Sequence, residues 1–209
     1  MDIHAPMEPI HSWRDIALHL CIITIGLFIA LSLEALVEYF HDLHLVHEAR
    51  ANIRHELQID DDFTKQDINS VQHNIDVLKT DIATIHKLQA DPKAHGSLDN
   101  TMSFNSLEDA AWRTARDTGA LSFMPYQEVQ RYSDLYMLEG MVNQKAIAAG
   151  EESFQAEAPL LMGYGGPGAL PPDEYTRMLH DNATAEIDLF TLKQYLVQLD
   201  QQLQAELKT

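Results

Sequence analysis

The residues best suited to chemistry cluster between Glu38 and Glu56. Glu38 and His41 form a Glu-x-x-His step, His44 and Glu48 stand one helical turn apart, and His47, His55 and Glu56 continue the series. On a helix, carboxylates and imidazoles three or four residues apart share a face, which is how helical bundles present ligands to first-row metals. A di-metal bundle also needs a second Glu-x-x-His and carboxylates from other helices, and the later sequence offers only His180-Asp181 without that spacing. Glu38, His41, His44, His47 and Glu48 are thus an incomplete candidate metal set. A solvated helical face whose imidazoles titrate near neutrality accounts for the same residues.

A second constellation is His19, Gly26, Ala30, Glu34 and Glu38, whose steps of seven and four residues put them on one broad helical face. Gly26-x-x-x-Ala30 lets helix backbones approach closely, so the first reading is a membrane packing face formed by His19, Gly26, Ala30 and Glu34. The ionisable pair His19 and Glu34 raises proton or ion conduction as the alternative. The glycines between Gly163 and Gly168 lack the Lys-Ser/Thr of a phosphate loop, and no strand precedes them. The one cysteine, Cys21, lies in an apolar run, and no serine sits in a nucleophile-elbow context. The sequence therefore offers no catalytic residue and implies no cofactor, and an activity as an enzyme is not expected.

The elements that must position these residues begin with Ile16 to Leu33, a run without Asp, Glu, Lys or Arg. With Ala35–Val37 and Tyr39-Phe40 it reaches the ~20 apolar residues that a helix needs to cross a ~30 Å hydrocarbon core. Trp13 and Tyr39 bracket the run, as amphipathic rings do at headgroup level. The preceding tail has no Lys or Arg before Arg14, and no small-x-small cleavage pattern follows the run, so a retained transmembrane helix is expected rather than a signal peptide. Arg14 lies near one end, whereas Glu34, Glu38 and Asp42 precede Arg50 and Arg54 at the other. The positive-inside rule then puts the N-terminus in the cytoplasm and the C-terminal domain in the periplasm of a bacterial inner membrane. The expected organisation is a tail at 1–14, a span at 15–40 and a domain at 41–209.

That domain, about 170 residues long, can enclose a hydrophobic core. A net charge of −18, from 32 acidic and 14 basic residues, repels phosphate backbones and argues against nucleic-acid binding. Neither Gly nor Pro occurs from Asp42 to Gln89, so the span's helix is expected to continue as a stalk, with Leu43, Val46, Ile53 and Leu57 on one face. Ile68, Val71, Ile75, Leu78, Ile82 and Ile85 then repeat at three- and four-residue steps, the seam of a packed helix. Ser106 and Asp109 suggest a capping box opening a short helix that stops near Gly119. A helix over 125–149 follows, carrying Val129, Tyr132, Tyr136, Met137 and Val142, and the Gly/Pro-rich stretch 159–172 reads as a loop. Tyr175, Met178, Asn182, Ala185, Leu189, Leu192, Leu196, Leu199 and Leu203 mark a last helix expected to lie along 64–89. Trp112, Phe104, Phe123, Tyr126, Tyr132 and Tyr136 are expected in the core around the short helix. The fold class is all-α: an N-terminal transmembrane helix continuing into a stalk and an antiparallel helical bundle.

Thr24-Ile-Gly-Leu-Phe-Ile-Ala-Leu-Ser-Leu-Glu34 and Ala111-Trp112-Arg-Thr-Ala-Arg-Asp-Thr-Gly119-Ala-Leu resemble a family of small, functionally uncharacterised single-span bacterial membrane proteins. In that family an Ile-Gly-x-x-Ile-Ala-Leu span precedes a helical domain with a Trp-containing short helix ending in Gly. The resemblance implies architecture and location, not activity. The expected function is a membrane-anchored scaffold or accessory subunit, whose partners are the lipid bilayer and itself or other membrane-protein subunits. The alternative is an extracytoplasmic sensor bundle that binds a small ligand or metal and signals through a partner.

Overall fold

The computed structural model describes residues 13–91, 93–99, 102–161 and 170–208, with backbone alone at Leu160 and Leu161. Helix α1 spans Trp13–Ala90, α2 Ala110–Asp117, α3 Tyr126–Leu161 and α4 Pro172–Leu207, and a 3-10 turn lies at Ala120–Phe123. No strand occurs among the described residues, and the fold is all-α. The chain divides into two compact units, one ending at His47 and the other Glu48–Thr209, beyond the 40/41 boundary expected from hydropathy.

In the first unit the apolar side chains are exposed along the helix, including Leu20, Ile23, Phe28 and Val37. The polar side chains among them turn back on their own backbone: Thr24 Oγ1 donates to the Leu20 carbonyl and Ser32 Oγ to that of Phe28, both at 2.7 Å. His19 Nδ1 is 2.7 Å from the Asp15 carbonyl. Such local bonds satisfy polar groups without solvent.

The second unit is a bundle of the later part of α1 with α3 and α4. Cross-helix contacts set the directions. Arg50 meets Glu128 and Glu56 meets Tyr136, so α1 and α3 run parallel. Gln72 meets Lys193 and Lys79 meets Glu186, so α4 runs antiparallel to α1 along the stretch expected for it. Lys145–Asp188 and Arg131–Glu206 make α4 antiparallel to α3 as well. The nine α4 positions at three-four spacing are its buried residues, Asn182 included, whose Nδ2 donates to the Met178 carbonyl at 2.8 Å.

Other expectations need correction. On α1 the expected Val71, Ile75, Leu78 and Ile85 are buried, but the continuous stripe, in steps of four and three, is Ile53, Leu57, Asp60, Thr64, Asp67, Val71, Asn74, Leu78, Asp81, Ile85 and Leu88. Ile68 and Ile82 are only half-buried and Leu43 is exposed. These two isoleucines flank the stripe, each one residue after a buried aspartate, Asp67 or Asp81. Met137, Phe123 and Tyr126 are exposed rather than core, while Tyr132 and Tyr136 are buried and Trp112 and Phe104 half-buried. Helix α3 passes Gly140 and Gly150 and continues through Pro159 to Leu161, where the proline costs one ladder hydrogen bond without ending the helix. The loop expected at 159–172 is therefore helical at 159–161 and again from Pro172. Its residues 162–169, like residues 1–12 of the tail, lie outside the described residues.

Leu196, 1% exposed, tests the bundle. An uncompensated charge there costs on the order of several kcal/mol, comparable to a domain's whole stability. Leu196→Asp is expected to abolish the cooperative thermal transition of the helical circular-dichroism signal. Met137→Asp, at an exposed position of α3, is expected to stay within about 0.5 kcal/mol of the parent.

Candidate functional site

Asp60, Asp67, Asn74 and Asp81 recur every seven residues on the buried stripe of α1, each 5% exposed or less. Residues 93–99 and 102–109, which link α1 to α2, have no helical ladder to satisfy their amides. Carboxylates of α1 accept several of them. Asp81 accepts the N–H of Asp99 at 3.3 Å, Asp67 that of Asn105 at 3.1 Å, and Asp60 that of Glu108 at 3.3 Å. Asn105 Nδ2 donates to Asp67 Oδ1 as well, at 2.7 Å. From α3, Asn143 brackets Leu107, accepting its N–H at 3.1 Å and donating to its carbonyl at 2.8 Å.

The register follows from two repeats. Seven helical residues rise ~10.5 Å and three extended residues ~10 Å, so Asp67 and Asp60 meet Asn105 and Glu108 in step. Gly96 allows the close approach, since a Cβ there would collide with Thr84 Cγ2. The segment thus forms a strap antiparallel to α1.

The strap ends where α2 begins. Glu56 Oε2 accepts the Ala111 N–H at 2.9 Å, satisfying one of the orphan donors of the α2 N-terminus. Asp109 occupies the N-cap position without a side-chain cap bond and pairs with Arg113 instead. The expected helix start at Ser106 therefore moves to Ala110, because the amides of Leu107 and Glu108 are engaged by Asn143 and Asp60. Gly119, at φ 80°, follows the end of α2, in the left-handed conformation that glycine adopts without strain. The other oxygen of Glu56 accepts the Tyr136 hydroxyl at 2.8 Å, and the Tyr136 ring stacks on Trp112 with centroids 5.4 Å apart.

Behind this junction lies Glu139 of α3, 2% exposed, with neither carboxylate oxygen hydrogen-bonded; Asp60 Oδ2 also has no partner. Burial pushes Glu139 up to about 9, reinforced by Asp60, Glu56 and Asp109. Burial likewise pushes Asp60 up to about 7 against the Glu108 N–H bond, and Asp81 up to about 6 against that of Asp99. Asp67 is raised by burial, opposed by its Asn105 bonds. These acids hold protons that exposed carboxylates release, because desolvation penalises the charged form.

At the start of α3 the chemistry is different. Arg50 donates Nε and Nη2 to the two oxygens of Glu128 at 2.6 and 2.7 Å, Arg131 Nε donates to Glu206 at 3.0 Å, and Arg54 Nη2 to the Leu207 carbonyl at 2.8 Å. These groups line a cavity of ≈ 300 Å³. Its arginines are committed to carboxylates and a helix C-terminus, a tie between three helices.

The residues singled out by sequence are placed otherwise. Glu38, His41, His44, His47 and Glu48 are all exposed, and no group of three or more His, Cys, Asp or Glu among the described residues is arranged to hold a metal ion. His19, Gly26, Ala30 and Glu34 are also exposed, and a Cβ on Gly26 would meet nothing within 4 Å. The acidic ladder was missed, although its signal was present: seven-residue spacing of Asp60, Asp67, Asn74 and Asp81 in phase with Ile53 and Leu88. In comparisons with known proteins, the chain matches no family model, no curated protein and no solved structure.

Each raised acid binds its proton more tightly folded than unfolded. The stability this linkage provides is complete below the ordinary carboxylate value of ~4 and is lost as pH rises through about 6, 7 and 9. Glu128 works oppositely: held low by the Arg50 hydrogen bond, it contributes stability that is lost as pH falls through its depressed value. The melting temperature is therefore expected to be higher at pH 5 than at pH 8.5. Glu139→Gln should raise it at pH 8.5 while changing it little at pH 5.

Proposed function

We propose that this protein is a single-span membrane protein whose helical bundle acts through protein contacts, by self-association or by docking to membrane-protein subunits. The observation that carries this reading is the apolar segment of α1, with a mean hydropathy of 2.5 in its best window and none of that window buried. Exposed apolar surface on this scale is not tolerated by a monomer in water, and a bilayer covers a segment of this length. The inward bonds of Thr24 and Ser32 suit such a setting, and the resemblance of the span and the Trp112 helix to single-span bacterial proteins points the same way. Contact is the role this reading assigns to the bundle.

On the basic-residue asymmetry, the bundle lies on the periplasmic side of a bacterial inner membrane. The face of Gly26 and Ala30 admits a second helix at close range, while hydrocarbon supplies no hydrophobic drive of its own. A second reading, a sensor bundle outside the cytoplasm, is favoured by the unpartnered buried Glu139.

A reporter active only in the periplasm, fused after Thr209, is expected to be active; activity of a cytoplasm-only reporter instead would reverse the topology. In membranes, Gly26→Leu and Ala30→Leu are expected to lower crosslinking between copies or to partners, with Glu34→Gln close to the parent. Normal association of the leucine variants together with loss of proton flux in Glu34→Gln alone would replace the scaffold reading by conduction.

A further inference from the structure

The strap is bound through its main chain, by side chains that are acids. Along α1 these are Glu56, Asp60, Asp67 and Asp81, and the strap brings its own acids to the same seam at Asp99, Glu108 and Asp109. From α3 come Glu139, the Tyr136 hydroxyl and, near the Asp81 end, Glu157, which burial, Asp81 and Asp99 push upward. Helix α4 buries Leu189, Leu192, Leu196, Leu199 and Leu203; its titratable side chains along that stretch, Lys193, Tyr195 and Asp200, are half-buried, and Lys193 donates to Gln72 of α1 rather than to the acids under the strap. The charged groups that bear on Glu139 are Asp60, Glu56 and Asp109; those that bear on Asp60 are Glu56 and Glu108. All are acids. His55 is the one base lining the adjoining groove of ≈ 350 Å³, and its side chain is exposed.

We propose that the strap is an acid-locked element: it lies closed on α1 while the buried, unpartnered carboxyls of Glu139 and Asp60 are protonated, and it lifts from the Glu56–Asp60–Glu139 junction as these two ionise. The inference goes beyond the membrane reading and stands on the geometry of the bundle alone. An ionised Glu139 has no hydrogen-bond donor within reach, and an ionised Asp60 leaves Oδ2 without one. A buried, unpartnered carboxylate needs water, and the segment between it and solvent is the strap. Lifting the strap gives up a few main-chain bonds and the Leu107 contact. The leucine core between α1, α3 and α4 stays closed, so opening here costs less than global unfolding. Repulsion between Asp60 and Glu108, and between Asp81 and Asp99, acts in the same direction once these acids ionise.

Hydrogen exchange of the full-length protein in detergent micelles tests this, with rates corrected for the intrinsic pH dependence of amide exchange. Between pH 5.5 and 8.5, protection of the Asn105, Glu108 and Ala111 amides is expected to fall at least about tenfold relative to the α4 amides of Leu192 to Leu199, as linkage to one or more protons predicts. Glu139→Gln should hold this relative fall to less than about threefold, because the amide never ionises. Asp60→Asn, which keeps an oxygen for the Glu108 N–H, should do the same and serves if the first variant folds poorly. In a Trp13→Phe background, Trp112 is the one remaining tryptophan. Its emission should shift to the red with rising pH in the parent and much less in Glu139→Gln. Strap amides that track the α4 amides across the whole pH range overturn the proposal without reference to any variant. So does an unchanged pH response in a folded Glu139→Gln or Asp60→Asn protein.

Discussion

The bundle depends on carboxylates of α1 that accept main-chain N–H groups of the segment laid against it. A segment without its own secondary structure cannot be laid against a helix unless its amides find acceptors. Asp81, Asp67, Asp60 and Glu56 provide them in sequence order; Asp67 and Asp60 are in register with Asn105 and Glu108 because a heptad of helix and three residues of extended chain cover nearly the same distance, and Glu56, one turn further, meets the first turn of α2. Three helices and a strap then do what four helices do in an ordinary bundle. The strap takes the return leg between α1 and α3, and α2 completes it. The cost of this arrangement is polar burial, borne most heavily by Glu139 and Asp60, which lack the full set of partners that their neighbours have.

The two ends of the site divide the electrostatic work. Near the start of α3, Arg50 and Arg131 meet Glu128 and Glu206 in partly exposed pairs, and their fork-shaped hydrogen bonds fix which helix faces which more than they add free energy. Under the strap no base answers Glu139. One end is therefore held by opposite charges and the other carries acids that burial holds protonated to higher pH, and the two respond to pH with opposite sign.

Much of the architecture was legible in the sequence because it rests on spacing. The α4 stripe from Tyr175 to Leu203 could be read residue by residue, since leucine at three-four steps has few other uses. The stop at Gly119 was legible because only a residue tolerant of positive φ ends α2 in this way. On α1 the same rule found Val71, Ile75, Leu78 and Ile85 but misled at Ile68 and Ile82, which also keep step and stand one residue away from the buried Asp67 and Asp81. An aspartate is ordinarily a surface residue, and only the strap, a partner without the regular apolar spacing of a helix or strand, makes it an interior one. The histidines from His41 to His55 showed the converse: suggestive spacing, without the convergence from other helices that ligands require.

Gly96 and the strap's amides have a consequence for how this segment tolerates change. A helix that grips main chain reads distance and not identity. The side chains of residues 93–99 and 102–109 that are held are few: Ala94 and Leu98 on the Ile85–Leu88 cluster, Gly96 against Thr84, Met102 beside Ser153, Asn105 on Asp67 and the buried Leu107. Length is not free in the same way. One residue added or removed between Asn105 and Glu108 would put the next amide ~3.3 Å out of phase with the acid waiting for it. The strap behaves as a ruler laid against α1, free in its lettering and fixed in its divisions.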